Sequence, residues 1–251
     1  MRQLIAGNWK MNGVFADVAR FAGPLRAATG LGCDVLVCPP ATLLAAMAQA
    51  LAGSAIAVGA QDCHPDPPGA HTGDLAAAML RDAGASHVIL GHSERRAAHG
   101  ETDAVVCAKV LAAHAAGLVP IVCVGESEAE RLAGRAEAVV AGQLAGSLPG
   151  GFAGVIAYEP VWAIGSGRTA AQADVAAMHA VIGARLHAQF GAAAEAMPVL
   201  YGGSVKPENA ASLLTLPGVH GALVGGASLK PADFLAIARA ARTLPNPAGG
   251  G

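Results

Sequence analysis

The chain has 251 residues, 53% of them hydrophobic and 14% charged, with a net charge of −2. That balance supplies a well-buried core and excludes a disordered chain. With no run of basic residues, it also argues against nucleic acid or an anionic membrane as the main partner. Length alone fits one α/β barrel of about 250 residues or two smaller domains.

Short runs rich in Val, Ile and Leu alternate with longer Ala-rich segments along the whole sequence. The N-terminal apolar stretch is too short for a signal peptide. A strand is expected over 4–9 and a helix over 14–28, then a strand over 34–38 and a helix over 42–51. Strand 56–61 precedes helix 74–83, and strand 87–91 precedes helix 103–116. Strand 119–124 leads to a helix over 128–147, and strand 155–159 to a helix over 172–189. Strand 199–201 precedes helix 207–214, and strand 222–224 precedes helix 231–242. Residues 35–61 carry no charge, which superficially suggests a membrane span, but Pro39, Pro40, Gln49, Gly53 and Ser54 divide them into strand, helix and strand. The tail 245–251, rich in Pro and Gly, is expected to be mobile.

Eight strand–helix alternations with no break in composition predict a parallel sheet covered by helices. The count of eight points to a closed (β/α)8 barrel forming a single domain over 1–251. A doubly wound open sheet is the alternative. The near-continuous apolar strands suit a sheet buried on both faces. The five cysteines, Cys33, Cys38, Cys63, Cys107 and Cys123, contain no C-x-x-C pair and are odd in number. They indicate a reducing, cytoplasmic setting rather than a disulfide framework.

In a parallel α/β barrel the chemistry collects at the C-terminal strand ends. Strand one ends in Asn8-Trp9-Lys10, which places an ammonium suited to an anionic substrate. Strand four runs into Gly91-His92-Ser93-Glu94-Arg95-Arg96, and a helix N-terminus there favours a neutral imidazole at His92. Strand six ends in Glu159, followed by Pro160, Trp162 and a Gly-rich stretch. A carboxylate desolvated beside a Trp has a raised pKa and suits a base near neutral pH, and segment 160–170 reads as a lid over it. Strands seven and eight lead into Gly202-Gly203-Ser204 and Gly225-Gly226, loops that expose backbone N–H groups to a phosphate. The sequence has no P-loop, no dinucleotide fingerprint, no H-E-x-x-H motif and no deaminase zinc signature.

With these phrases in order, the chain closely resembles the triosephosphate isomerase family. The matching stretches are Ala6-Gly7-Asn8-Trp9-Lys10-Met11-Asn12, Gly91-His92-Ser93-Glu94-Arg95-Arg96, Tyr158-Glu159-Pro160-Val161-Trp162-Ala163-Ile164-Gly165, Tyr201-Gly202-Gly203-Ser204-Val205 and Val224-Gly225-Gly226-Ala227-Ser228. The resemblance covers essentially the whole chain. It implies interconversion of dihydroxyacetone phosphate and D-glyceraldehyde 3-phosphate through an enediol(ate), without metal or organic cofactor. Glu159 would be the base, His92 the neutral electrophile and Lys10 the electrostatic stabiliser. Asn8 would orient the reacting oxygen, and Glu94 would support Lys10 or His92. Gly165, Ser204, Gly225 and Gly226 would hold the phosphate.

Residues 62–74 resemble the family's third loop, which in relatives plugs into a neighbouring subunit, with Thr72 reaching across; the resemblance therefore implies a homodimer. The chain departs from the family at Ser166 and Arg168 in the lid, where Thr and Lys are usual, and at His71, Asp74 and His99. These changes bear on lid kinetics and dimer strength. Two other readings remain open on the residues alone. One is a different phosphate-binding barrel enzyme, and the other is a sugar-phosphate sensor that binds without turnover.

Overall fold

A computed structural model describes residues 2–164 and 170–242. Eight parallel strands close into a barrel in sequence order: β1 (Gln3–Asn8), β2 (Cys33–Cys38), β3 (Ile56–Ala60), β4 (His87–Leu90), β5 (Val119–Val124), β6 (Val155–Tyr158), β7 (Val199–Tyr201) and β8 (Gly221–Val224). The seam is the β1–β8 pair, with Leu4 opposite Gly221 and Gly7 opposite Val224. Gly221 holds φ at +144°, and a Cβ there would lie 1.9 Å from the Leu4 carbonyl oxygen, so only glycine lets the seam close.

The barrel is wrapped by α1 (Phe15–Ala27), α2 (Ala41–Leu51), α3 (Ala77–Asp82), α4 (Ser93–His99), α5 (Asp103–Ala115), α6 (Glu128–Leu132), α7 (Ala136–Ser147), α8 (Gln172–Phe190), α9 (Pro207–Leu214) and α10 (Pro231–Ala240). Pro207 and Pro231 open their helices, where a missing N–H costs nothing. The helix expected over 128–147 is two helices. Gly134 takes φ +68° between them, and the Ala133 and Gly134 N–H groups close the first helix onto Ala129 and Arg131 carbonyls. The helix expected over 74–83 begins only at Ala77, because the chain ahead of it returns to pair His64 with Ala76. Segment 93–99 forms a helix of its own, α4. The tail 245–251 lies outside the described residues.

Two hydrophobic clusters follow from the period-two alternation of strand side chains. The smaller fills the barrel interior with Ala6, Leu36, Cys38, Ile89, Ile121, Cys123, Ala157, Leu200 and Leu223. The larger lies between strands and helices. Stepping two residues on from an interior side chain reaches the barrel mouth. Ala6 thus leads to Asn8, Cys123 to Gly125, Ala157 to Glu159, Leu200 to Gly202 and Leu223 to Gly225. No helix among the described residues is long and apolar enough to cross a membrane, and all five cysteines are free.

Candidate active site

Glu159 sits one residue beyond β6 with its carboxylate 2% exposed. Its neighbours are glycines for a steric reason. A Cβ at Gly125 would lie 1.7 Å from the Glu159 carbonyl oxygen, and one at Gly202 would lie 2.9 Å from its Cγ. The carboxylate takes two hydrogen bonds at the start of α4: Oε1 is 2.9 Å from His92 Nε2, and Oε2 accepts the Ser93 N–H at 2.9 Å. Burial pushes the carboxyl pKa up, but His92 and the Ser93 N–H outweigh it and hold the group below its usual value. The sequence reading of a raised pKa beside a Trp is therefore reversed in this arrangement. The Trp162 indole N–H bonds instead to Glu126, at 2.9 Å.

His92 is the N-cap of α4. Its Nδ1 accepts the Glu94 N–H at 3.2 Å, which places the proton of the neutral ring on Nε2, toward Glu159. Burial pushes the imidazolium pKa down and the Glu159 carboxylate pulls it up, leaving it raised while the two touch. Most of the upward pull comes from that contact, and the Glu94 carboxylate adds to it. Burial and the nearby Lys10 ammonium oppose it, and both favour the neutral ring.

Lys10 is the only non-glycine with positive φ among the described residues, at +53°. Such a backbone costs on the order of 1–3 kcal/mol and persists only when its surroundings fix it. Three bonds do so. The Lys10 N–H donates to Asn8 Oδ1 at 2.9 Å, and Gln61 Nε2 donates to the Lys10 and Cys38 carbonyls, both at 2.9 Å. The ammonium is paired with Glu94 Oε1, while Glu94 Oε2 lies 3.7 Å from His92 Nδ1. Glu94 thus touches both groups that it was expected to support.

Asn8, Lys10, His92 and Glu159 share one cavity of about 490 Å³ with Ile164, Gly202, Gly203, Ser204, Gly225 and Gly226. Beyond β8, Gly226–Leu229 form a 3-10 turn. A Cβ at Gly226 would meet nothing within 4 Å, and one at Gly225 only Lys10 Cε at 3.6 Å. Those two glycines leave open room beside the ammonium rather than relieve a clash. Gly165, Ser166 and Arg168 lie outside the described residues, as does the middle of the expected lid. Thr72 is exposed and not part of this cavity.

Two residues escaped the sequence reading. Gln61 is one; the other is Glu126, fully buried just beyond β5. Glu126 accepts from the Tyr158 hydroxyl at 3.2 Å, from the Trp162 indole and from Arg131 at 3.3 Å, while its carbonyl accepts the Val161 N–H at 3.1 Å. Arg131 lies 5.1 Å from the Trp162 ring centroid and pairs with Asp174 at 2.8 Å. The first turn after Glu159 is thereby anchored. Burial, with Glu126 adding to it, pushes the Tyr158 phenol pKa up, so it remains a donor.

The family model described as triosephosphate isomerase matches residues 3–241. The triosephosphate isomerase of Acidiphilium cryptum (strain JF-5) is 62% identical over 251 residues, covering 96% of this chain and 99% of the relative. That of Granulibacter bethesdensis is 62% identical over 247 residues with the same coverage. The crystal structure of triosephosphate isomerase from Bartonella henselae superposes with a TM-score of 0.88 at 50% identity, covering 96% of this chain and 99% of that one.

Proposed function

We propose, on the premise that the chain belongs to the triosephosphate isomerase family, that Glu159, His92 and Lys10 carry out the family's proton transfer. The chain is an isomerase that interconverts dihydroxyacetone phosphate and D-glyceraldehyde 3-phosphate. The convergence of the base, the neutral imidazole and the ammonium on one cavity supports the roles.

In the reading we favour, substrate phosphate sits over Ser204, Gly225 and Gly226, with Gly165 of the lid contributing on closure. Its carbonyl oxygen lies toward His92 Nε2–H and the Lys10 ammonium, steadied by Asn8. Both donors stabilise negative charge as it develops on that oxygen, which acidifies the neighbouring C–H bond. Glu159 leaves the His92 and Ser93 donors that hold its pKa down, keeps its burial and so becomes a stronger base as it reaches the carbon. It returns the proton to the adjacent carbon while His92 moves protons between the two oxygens. Closure of segment 160–170 excludes water and disfavours loss of phosphate from the enediolate. The route calls on no metal or organic cofactor.

A coupled assay with glyceraldehyde 3-phosphate, run on the wild type and on Glu159→Gln, tests these roles. Fast turnover by the wild type and near-complete loss in the folded variant are expected. Full activity in the variant would remove Glu159 as the base. Phosphate-ligand binding without exchange of carbon-bound hydrogen for solvent would favour a sensor.

We read the assembly as a homodimer through loop 62–74, with Thr72 at its exposed end. Met11, Val14 and Phe15 add a cluster of large exposed apolar side chains beyond β1, 96%, 63% and 74% exposed, of the kind that marks an interface. Sedimentation showing only monomer at micromolar concentration would overturn this. The free cysteines fit a reducing cytoplasm.

A further inference from the structure

The geometry points to a second site, outside the catalytic cavity of the same chain: a divalent cation site for a borderline metal of the zinc class in the loop after β3, held by His64, Asp66 and His71. The loop is closed at its base, where the His64 N–H donates to the Leu75 carbonyl at 2.8 Å and His64 pairs with Ala76. Inside it the two imidazoles stack with centroids 4.1 Å apart. Asp66 Oδ2 lies 3.9 Å from His64 Nδ1 and 3.6 Å from His71 Nε2. One ligand atom from each of the three residues falls within 4.8 Å of the other two. Tetrahedral ligation at about 2.1 Å spaces ligand atoms about 3.4 Å apart, so two of the three separations are already close to a bound geometry. Two imidazoles and a carboxylate suit zinc and its neighbours rather than calcium or magnesium, which prefer all-oxygen shells.

The tautomer of His64 fits as well. Its Nδ1 accepts the Asp66 N–H at 3.1 Å, so in the neutral ring the proton is on Nε2, which faces Asp74 Oδ2 at 3.8 Å. A cation at Nδ1 takes over a lone pair now spent on one long hydrogen bond. Asp74 then holds the opposite Nε2–H, the carboxylate–imidazole–metal arrangement that orients a metal-binding ring. Pro65, Pro67 and Pro68 flank the ligands in sequence and limit the freedom the loop loses on binding. Within a single chain Asp66 and His71 are exposed and His64 is half-buried, and the homodimer proposed above would seat the loop that carries them against its partner. Lys10, His92 and Glu159 are not among these residues, and the chemistry does not call on the cation. Its effect is to clamp the loop that carries Thr72.

Titrating Co²⁺ into the metal-stripped, full-length protein tests this. Saturable binding with visible d–d bands of a nitrogen and oxygen shell is expected. His71→Asn and Asp66→Asn should each weaken it at least tenfold, and Asp74→Asn by a smaller factor. Zn²⁺ should displace the cobalt and raise the melting temperature of the wild type but not of His71→Asn. No saturable binding below about 1 mM would overturn the site. So would equal affinity in the exposed-residue variants, or a thiolate charge-transfer band placing the cation on a cysteine.

Discussion

At the scale of single residues, the shared location of the groups proposed to react was legible because they lie at strand ends, where interior alternation delivers a side chain to the barrel mouth. Glu159 follows Ala157 and Asn8 follows Ala6 by the same two-residue step. The residues that hold them were not legible. Gln61 reaches the Lys10 carbonyl from 51 residues away, and nothing in its own neighbourhood announces that role. The direction of the Glu159 pKa was also beyond the sequence, since it depends on two donors from the start of α4. Because Glu159, the proposed base, is placed by the backbone beyond β6 and fenced by Gly125 and Gly202, it has little freedom to compensate for a shorter side chain. Glu159→Asp retracts the carboxylate by about one methylene, and a misplacement near 1 Å costs about a hundredfold in rate. Steady-state kinetics should show that loss mainly in kcat.

At the scale of elements, the anchor beyond β6 is a buried acid shared by three donors on different segments: Tyr158, Trp162 and Arg131. Glu126→Leu would remove the acceptor shared by the Tyr158 hydroxyl and the indole N–H, and one of the two carboxylates that face Arg131. A loss of about 3 kcal/mol is expected, read as a lower urea midpoint, with slower turnover because the first turn after Glu159 loses its tether. An unchanged midpoint would show that the anchor contributes nothing. Sequence periodicity found the helix over 128–147 but not its break, because Ala-rich flanks sustain a helical pattern through Gly134. It likewise ran helix 74–83 back into residues that pair with His64; a long-range bridge overrode local propensity there.

At the scale of the whole molecule, eight alternations pointed to closure over an open sheet, and the β1–β8 pairing closes the ring and leaves no edge strand. A global pH response belongs at this scale too. His179 on α8 is 1% exposed; its Nδ1 is 2.9 Å from the Gly218 carbonyl, and its Nε2 has no partner among the described residues. Burial pushes its pKa down to about 4 from 6.5. Between those values the unfolded chain holds a proton that the fold rejects, so stability falls as pH drops from 6.5 to about 4. The size is up to about 3 kcal/mol. Denaturation of His179→Gln at pH 7 and pH 5 should show a flatter dependence than the wild type.

The seam between β1 and β8 sets an order on biosynthesis. The segment carrying Asn8 and Lys10 is made more than two hundred residues before its second neighbouring strand, Gly221–Val224. A chain made only as far as β6 has Lys10 and Glu159 but no closed mouth to hold them against one another. Activity is therefore expected in one step, once β8 has been made, and a ribosome that stalls before β8 is expected to release an inert product rather than a half-competent one.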